Sequence, residues 1–172
     1  MRRPLLLGLA LGLVLAGCGL PGRDRAAALP RGTGTVVRPV DGDTAVIRIG
    51  GEDEHVRFIG IDTPESVSED VPVECYGPES KARTAELLPI GTVVRLERDV
   101  EARDRYGRLL AFVYRDADDT FVNLVLVQEG FAESYPYPPN TAHQGELDAA
   151  QADAQAHDRG LWPACGGTDT PA

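Results

Sequence analysis

Residues 35–65 read TVVRPVDGDTAVIRIGGEDEHVRFIGIDTPE, and this stretch decides the architecture. Residues 44–49 alternate apolar and polar side chains and are rich in β-branched ones, the pattern of a half-buried strand. Gly50-Gly51 signals a two-residue hairpin, because such turns need positive φ. Residues 54–61 read as the next strand, with Val56, Phe58 and Ile59 apolar and Arg57 on the face opposite Phe58. Residues 32–38 form the strand before them, closed by Pro39, which has no amide hydrogen for a ladder. Two of these runs end in acidic turns, Asp41-Gly42-Asp43 and Asp62-Thr63-Pro64-Glu65.

The hairpin has a chemical consequence. Asp43 stands at the head of one strand and Asp62 at the tail of the next, so antiparallel pairing makes neighbours of them. Two adjacent carboxylates repel unless a cation lies between them, and carboxylate oxygen is the hard donor that Ca²⁺ prefers. Glu65, in the same turn as Asp62, is placed to hold and deprotonate an attacking water. Arg57, one short strand away, can grip a phosphate through its planar fork. Three carboxylates and a guanidinium suit metal-assisted cleavage of a phosphodiester. Each piece alone has a duller explanation: Asp-Gly-Asp is usually a turn, Asp-Thr-Pro-Glu a helix start, and a strand arginine a solvated side chain.

Outward from this stretch the chain gives three helices and two more strands. Gly77-Pro78-Glu79 opens a helix, with proline in its first turn and a carboxylate at its positive end. Ala82, Ala85 and Leu88 are its expected buried face, and Pro89 stops it. Residues 92–97 and 108–115 are strands four and five. Residues 123–129 form a short helix ending at Gly130. Residues 135–140, Tyr-Pro-Tyr-Pro-Pro-Asn, cannot be helix. Thr141 is the expected cap of a long helix to about Asp158, and Trp162 is expected to pack back on the domain. Five strands with these helices imply a β-barrel with helical supports, an α+β domain. His55, His143 and His157 have no ligand spacing and are expected at the surface. Glu146, Asp148, Asp153 and Asp158 are expected on the solvated face of the last helix.

The N-terminus is a different kind of sequence. Arg2 and Arg3 precede an apolar run over residues 5–16, too short for a comfortable membrane span but suited to a signal peptide. It ends in Leu15-Ala16-Gly17-Cys18, which resembles a bacterial lipobox and implies cleavage before Cys18 and lipidation of its thiol. An ordinary signal peptide or short anchor is the alternative. The expected organisation is a signal peptide at 1–17, a flexible tether at 18–31, one barrel domain at 32–163 and a tail at 164–172. Such a product is exported and held by its lipid at the outer face of a membrane in the cell envelope. Cys75 and Cys165 then remain in an oxidising compartment, where a bridge between them is the leading expectation and two unpaired buried thiols the alternative. Formal net charge is −10. Losing Arg2 and Arg3 makes it more negative still, so no general polyanion-binding surface is expected.

Asp41-Gly42-Asp43-Thr44, Arg57, Asp62-Thr63-Pro64-Glu65, Tyr76-Gly77-Pro78-Glu79 and Asp104-Arg105-Tyr106-Gly107-Arg108 resemble, in order and spacing, the signatures of the staphylococcal nuclease family. Tyr135, Tyr137, Pro139, Asn140 and Gly160-Leu161-Trp162 extend the resemblance over residues 32–162. It implies a five-stranded OB-fold barrel with three α-helices that cleaves DNA, RNA or both with Ca²⁺, as a monomer, leaving 3′-phosphorylated products. By the same resemblance Asp43 and Asp62 bind the metal through side chains and Thr63 through its carbonyl, while Asp41 orders the turn or bound water. Glu65 is the base, and Arg57 and Arg108 hold the phosphate. Tyr135 and Tyr137 line the nucleotide pocket, and Tyr106 contacts a terminal phosphate or sugar. One departure stands out: the loop after Glu65 carries Glu69, Asp70 and Glu74 where basic relatives carry lysines. Binding then falls to a local arginine set, Arg57, Arg83, Arg103, Arg105 and Arg108. A barrel that binds nucleic acid or a protein without cutting is the competing reading.

Overall fold

Strands β1 (Thr33–Pro39), β2 (Thr44–Ile49) and β3 (Glu52–Phe58) form an antiparallel meander, with β2 and β3 in register from Thr44↔Arg57 to Ile49↔Glu52. The Gly50-Gly51 hairpin is therefore where the sequence puts it. A computed structural model describes residues 32–66 and 72–168. The signal segment, Cys18, the tether, Glu69, Asp70 and residues 169–172 lie outside the described residues.

After β3 come β4 (Ile61–Asp62), helix α1 (Gly77–Leu87), β5 (Val93–Glu97), β6 (Leu109–Arg115) and β7 (Thr120–Phe121). Helix α2 (Val122–Gln128), β8 (Glu133–Ser134), α3 (Gln144–Ala156) and α4 (Leu161–Cys165) complete the chain. The sheet order is β3-β2-β1-β5-β6-β7, and β6 returns to pair in parallel with β3, closing a five-stranded barrel. Closure leaves no long exposed edge and puts alternate side chains inside. Val36, Ile47, Val56, Phe58, Val94 and Val113 fill the interior, and Leu87, Leu126 and Leu147 bring the helices onto it. Asn123 ties α2 to the barrel: it accepts from the Val113 amide at 3.0 Å and donates to the Ile59 carbonyl at 2.8 Å.

Four local expectations change. The third strand does not run on to Ile61. It breaks at Gly60, whose φ of +79° turns a corner, and a Cβ there would lie 2.6 Å from the Leu147 side chain. Beyond that corner β4 pairs with β8. Helix α1 buries Ser80, Thr84 and Leu87 rather than Ala82 and Ala85, of which the first is exposed and the second half-buried. A polar face can be buried because both hydroxyls are satisfied, Ser80 by the Phe131 carbonyl at 2.7 Å and Thr84 by the Gly42 carbonyl at 2.5 Å. Thr141 does not cap α3, which starts at Gln144. The Ala142 amide is instead drawn to the Asp99 carboxylate at 2.9 Å. Finally there are four helices among the described residues, not three. Helix α4 contains Trp162 and ends at Cys165, which is bonded to Cys75 with a Cα separation of 5.9 Å.

His143 is half-buried rather than a free surface residue. Its ring centroid lies 4.4 Å from Phe112 and 5.0 Å from Phe121. Nε2 lies 3.1 Å from Glu97 Oε1, and Nδ1 pairs with Glu146. The Tyr114 hydroxyl faces Nε2 at 3.4 Å, and its ring lies under the Arg95 guanidinium. Burial opposes charging this ring, but Glu97 and Glu146 outweigh burial and raise its pKa. A raised histidine pKa adds stability below the unfolded value of about 6.5 and loses it as pH climbs through the folded value. The melting temperature should therefore fall as pH rises through neutrality. His143→Gln should flatten that slope in thermal melts; an unchanged slope would remove His143 as its source.

Candidate active site

Backbone pairing brings the acidic turns together. Thr44 stands opposite Arg57 in the β2–β3 ladder, and the Phe58 amide donates to the Asp43 carbonyl at 2.8 Å. The Gly60 corner then carries Asp62 back toward Arg57. The guanidinium lies at the centre of the result. Its Nη1 donates to the carbonyls of Phe58 at 2.9 Å and Ile61 at 2.8 Å. It reaches Asp43 Oδ2 at 3.2 Å, while Nη2 meets Asp62 Oδ1 at 2.8 Å. Asp43 is buried, and its Oδ2 also accepts from the Thr63 amide and hydroxyl, both at 3.1 Å. Gly42 permits this approach: a Cβ there would lie 2.6 Å from the Thr63 hydroxyl.

Asp41 accepts from the Asp43 amide at 3.0 Å, which fixes the turn. Burial, then the charge of Asp43, pushes its pKa up to about 7. Asp41, Asp43, Arg57, Asp62, Thr63, Pro64, Glu65 and Arg108 line one cleft of about 230 Å³. Four of these are carboxylates facing two guanidiniums, one of which is engaged by Asp104. The cleft thus lacks positive charge, and a cation would relieve it. Among the described residues no three Asp, Glu, His or Cys side chains converge as a ready ligand cluster. A hard cation here would take the carboxylates of Asp43 and Asp62 and fill its shell with the Thr63 carbonyl and water, a donor set of oxygen alone that fits Ca²⁺.

Arg108 reaches the cleft from the turn before β6, and Asp104 holds it there. Asp104 Oδ1 accepts from the amides of Tyr106 and Arg108, both at 2.9 Å, and Oδ2 accepts from Arg108 Nε at 2.6 Å. Burial raises the Asp104 pKa, yet Arg108 and these amides outweigh it and hold the carboxyl below its usual range. Sequence reasoning gave Asp104 no role. The available signal was Asp-x-x-Gly-Arg, an Asx turn with an oppositely charged partner four residues on. Asp104→Ala is expected to cost about as much kcat/KM as Arg108→Ala, roughly ten- to hundredfold. The double variant should be little worse than either single one, as a double-mutant cycle would show; strict additivity would separate the two residues.

A second cleft of about 210 Å³ adjoins the first, sharing Arg57, Asp62 and Arg108, and is walled by Tyr135 and Tyr137. Tyr106 lines neither cleft; it is exposed, with its ring 5.5 Å from the Arg108 guanidinium. The arginine set does not converge as a group. Arg83 is paired with Glu129 and Arg103 with Glu54, leaving Arg57 and Arg108 in the cleft and Arg105 stacked on Tyr106. A larger groove of about 590 Å³ lies between α2 and α3. Its charged residues Glu129, Glu146, Asp153 and Arg159 are each paired with Arg83, His143 or one another, which leaves the smaller cleft as the candidate site.

Residues 55–164 match the family model described as staphylococcal nuclease homologue. The chain is 42% identical over 127 residues to a thermonuclease of Staphylococcus intermedius, covering 74% of each protein. It is 39% identical over 127 residues to a thermonuclease of Staphylococcus hyicus, covering 74% of this chain and 73% of that one. It is also 35% identical over 134 residues to the endonuclease YncB of Bacillus subtilis (strain 168), covering 77% of this chain and 62% of YncB. The matched span holds Arg57, Asp62, Glu65 and Arg108 of the cleft, and the chain belongs to the staphylococcal nuclease homologue family.

Proposed function

We propose that this protein is a Ca²⁺-dependent nuclease that hydrolyses the phosphodiester bonds of DNA, RNA or both to 3′-phosphorylated products. One observation carries the reading: the cleft holding Asp41, Asp43, Asp62 and Glu65 shares Arg57, Asp62 and Arg108 with the cleft walled by Tyr135 and Tyr137. Asp43, Asp62 and the Thr63 carbonyl would hold the ion, which when bound would supply positive charge at the phosphate. Glu65 takes a proton from the attacking water. Arg57 and Arg108 hold the phosphate oxygens and stabilise the charge that builds on them. Tyr135 and Tyr137 receive the nucleotide, and a stacked base contributes roughly 1–3 kcal/mol. Tyr106, beside Arg108, contacts an outer phosphate or sugar.

Release of fragments from single-stranded DNA and from RNA should be measured with Ca²⁺, with excess chelator, and for Glu65→Ala with Ca²⁺. Cleavage confined to the first condition supports the mechanism, and equal rates in all three overturn it. Binding without cleavage in Ca²⁺ would favour a nucleic-acid-binding module instead.

The same proposal includes the N-terminus: cleavage before Cys18, lipidation of its thiol, and a monomeric domain held at the outer face of a membrane. The motif Leu15-Ala16-Gly17-Cys18 supports it. Cys18→Ser should move most of the protein from the membrane fraction to the soluble fraction; unchanged membrane retention would overturn the anchor.

A further inference from the structure

Both backbone hydrogen-bonding groups of Glu65 are held by one other residue. The Glu65 amide donates to Glu74 Oε2 at 2.7 Å, and the Glu74 amide donates to the Glu65 carbonyl at 2.8 Å. Gly77 closes behind this pair, since a Cβ there would lie 2.3 Å from the Glu65 carbonyl oxygen. The residue after Glu74 is Cys75, bonded to Cys165 at the end of α4. That helix is firmly seated. Leu161 is fully buried, its amide donates to the Gly130 carbonyl at 2.8 Å, and the Thr168 amide donates to Glu133 Oε1 at 2.6 Å. On the other side of Cys75, the Tyr76 ring lies 5.5 Å from Phe131.

We infer that Glu74 is a positioning residue for Glu65, and that the Cys75–Cys165 disulfide keeps this latch closed, making cleavage depend on the oxidation state of the pair. The inference rests on the nuclease reading, in which Glu65 activates water. Glu74 acts through the Glu65 backbone. Whatever fixes the Cys75 backbone fixes the point from which the Glu74 side chain reaches back, and the disulfide joins that point to a buried helix. Both cysteines are half-exposed, so a dithiol can reach them. In the exchange the S–S bond breaks, two electrons and two protons pass to the cysteines, and the dithiol leaves as its own disulfide. The freed segment retains the Tyr76 contact but loses its covalent tie, and Glu65 departs from its working position. The enzyme is thus fully active in an oxidising compartment and slow in a thiol-rich one.

The test compares the unaltered protein, Glu74→Ala, Glu74→Gln and the double variant Cys75→Ser/Cys165→Ser, with and without dithiothreitol. Hydrogen exchange of a peptide spanning residues 63–66 is followed in Ca²⁺-free buffer, and kcat and KM on single-stranded DNA in saturating Ca²⁺. Glu74→Ala, the double variant and the reduced protein should exchange the Glu65 amide roughly tenfold faster, with exchange in β2 unchanged. Their kcat should fall roughly ten- to hundredfold with little change in KM. Glu74→Gln keeps an acceptor oxygen and should restore most of both. The double variant should not respond to dithiothreitol. Unaltered exchange at Glu65 in Glu74→Ala overturns the latch. Faster exchange throughout β2 assigns the effect to unfolding and overturns it too, and an equal response of the double variant to dithiothreitol overturns the redox dependence. If Glu65→Ala remains active, the nuclease reading of Glu65 fails, while exchange at its amide still reports the latch.

Discussion

Arg57→Ala is expected to lower kcat/KM by roughly 10³- to 10⁵-fold, the range for an arginine that stabilises charge on a transferring phosphoryl group, and more than Arg108→Ala because Arg57 also anchors Asp43 and Asp62. It should also destabilise the Ca²⁺-free protein. The guanidinium joins Asp43, Asp62 and the carbonyls of Phe58 and Ile61. Its side chain is 15% exposed and that of Asp43 is 8% exposed, so water cannot fully replace what is lost. Removing one partner from such a pair costs about 3–5 kcal/mol. Ca²⁺ should recover much of this, because the abandoned carboxylates then have a cation to themselves. The rise in melting temperature on adding Ca²⁺ should therefore be larger in Arg57→Ala than in the unaltered protein. Arg57→Lys should recover part of the stability and little activity, since an ammonium reproduces the charge and not the fork. Thermal melts in chelator and in Ca²⁺, with steady-state kinetics, decide it. Unaffected melts and kinetics would mean that Arg57 is a bystander.

The hairpin at Gly50-Gly51 was legible because its signal is local: alternation on either side and a turn that glycine alone suits. Asp43 and Asp62 were legible as neighbours for the same reason. What the sequence did not reveal was long-range. The corner at Gly60 depends on Leu147 of α3 filling the space where a side chain would go. The buried hydroxyls of α1 depend on carbonyls at Gly42 and Phe131, so a helix judged by its alanines shows the wrong face. His143 looked like a surface residue because Glu97, Phe112 and Phe121 come from other elements. The role of Asp104 depends on where Arg108 points, and the motif letters alone do not carry that. Local turn chemistry is written in a few adjacent letters, whereas the groups that satisfy a buried polar atom are scattered along the chain.

An acidic chain that acts on a polyanion is less paradoxical once its arginines are placed. Arg48, Arg83, Arg95, Arg103, Arg115 and Arg159 are each paired with a nearby carboxylate outside the cleft. Such pairs add little to stability when exposed, but they cancel the positive field that would otherwise gather nucleic acid from a distance. On the proposed mechanism, capture is then short-ranged and rests on Arg57, Arg108, the tyrosines and a cation held by the carboxylates.

Glu65→Gln should separate chemistry from architecture. The substitution keeps the shape of the side chain and removes its basicity, so kcat should fall by roughly 10²- to 10⁴-fold, the usual worth of a positioned general base. KM should change little, because the proposed mechanism leaves substrate binding to Arg57, Arg108 and the tyrosines. Stability should also change little, because the backbone of residue 65 is fixed by Glu74 and Gly77 whatever the side chain carries. This pattern is opposite to that of Arg57→Ala, which is expected to shift the melting temperature and the response to Ca²⁺ along with the rate. The double variant Arg57→Ala/Glu65→Gln should lose less than the product of the two single losses, because a water aimed at a phosphate that nothing holds has little left to lose. A Glu65→Gln protein with the unaltered kcat would hand the role of base to another group and leave Asp41, in the same cleft, as the remaining carboxylate for it.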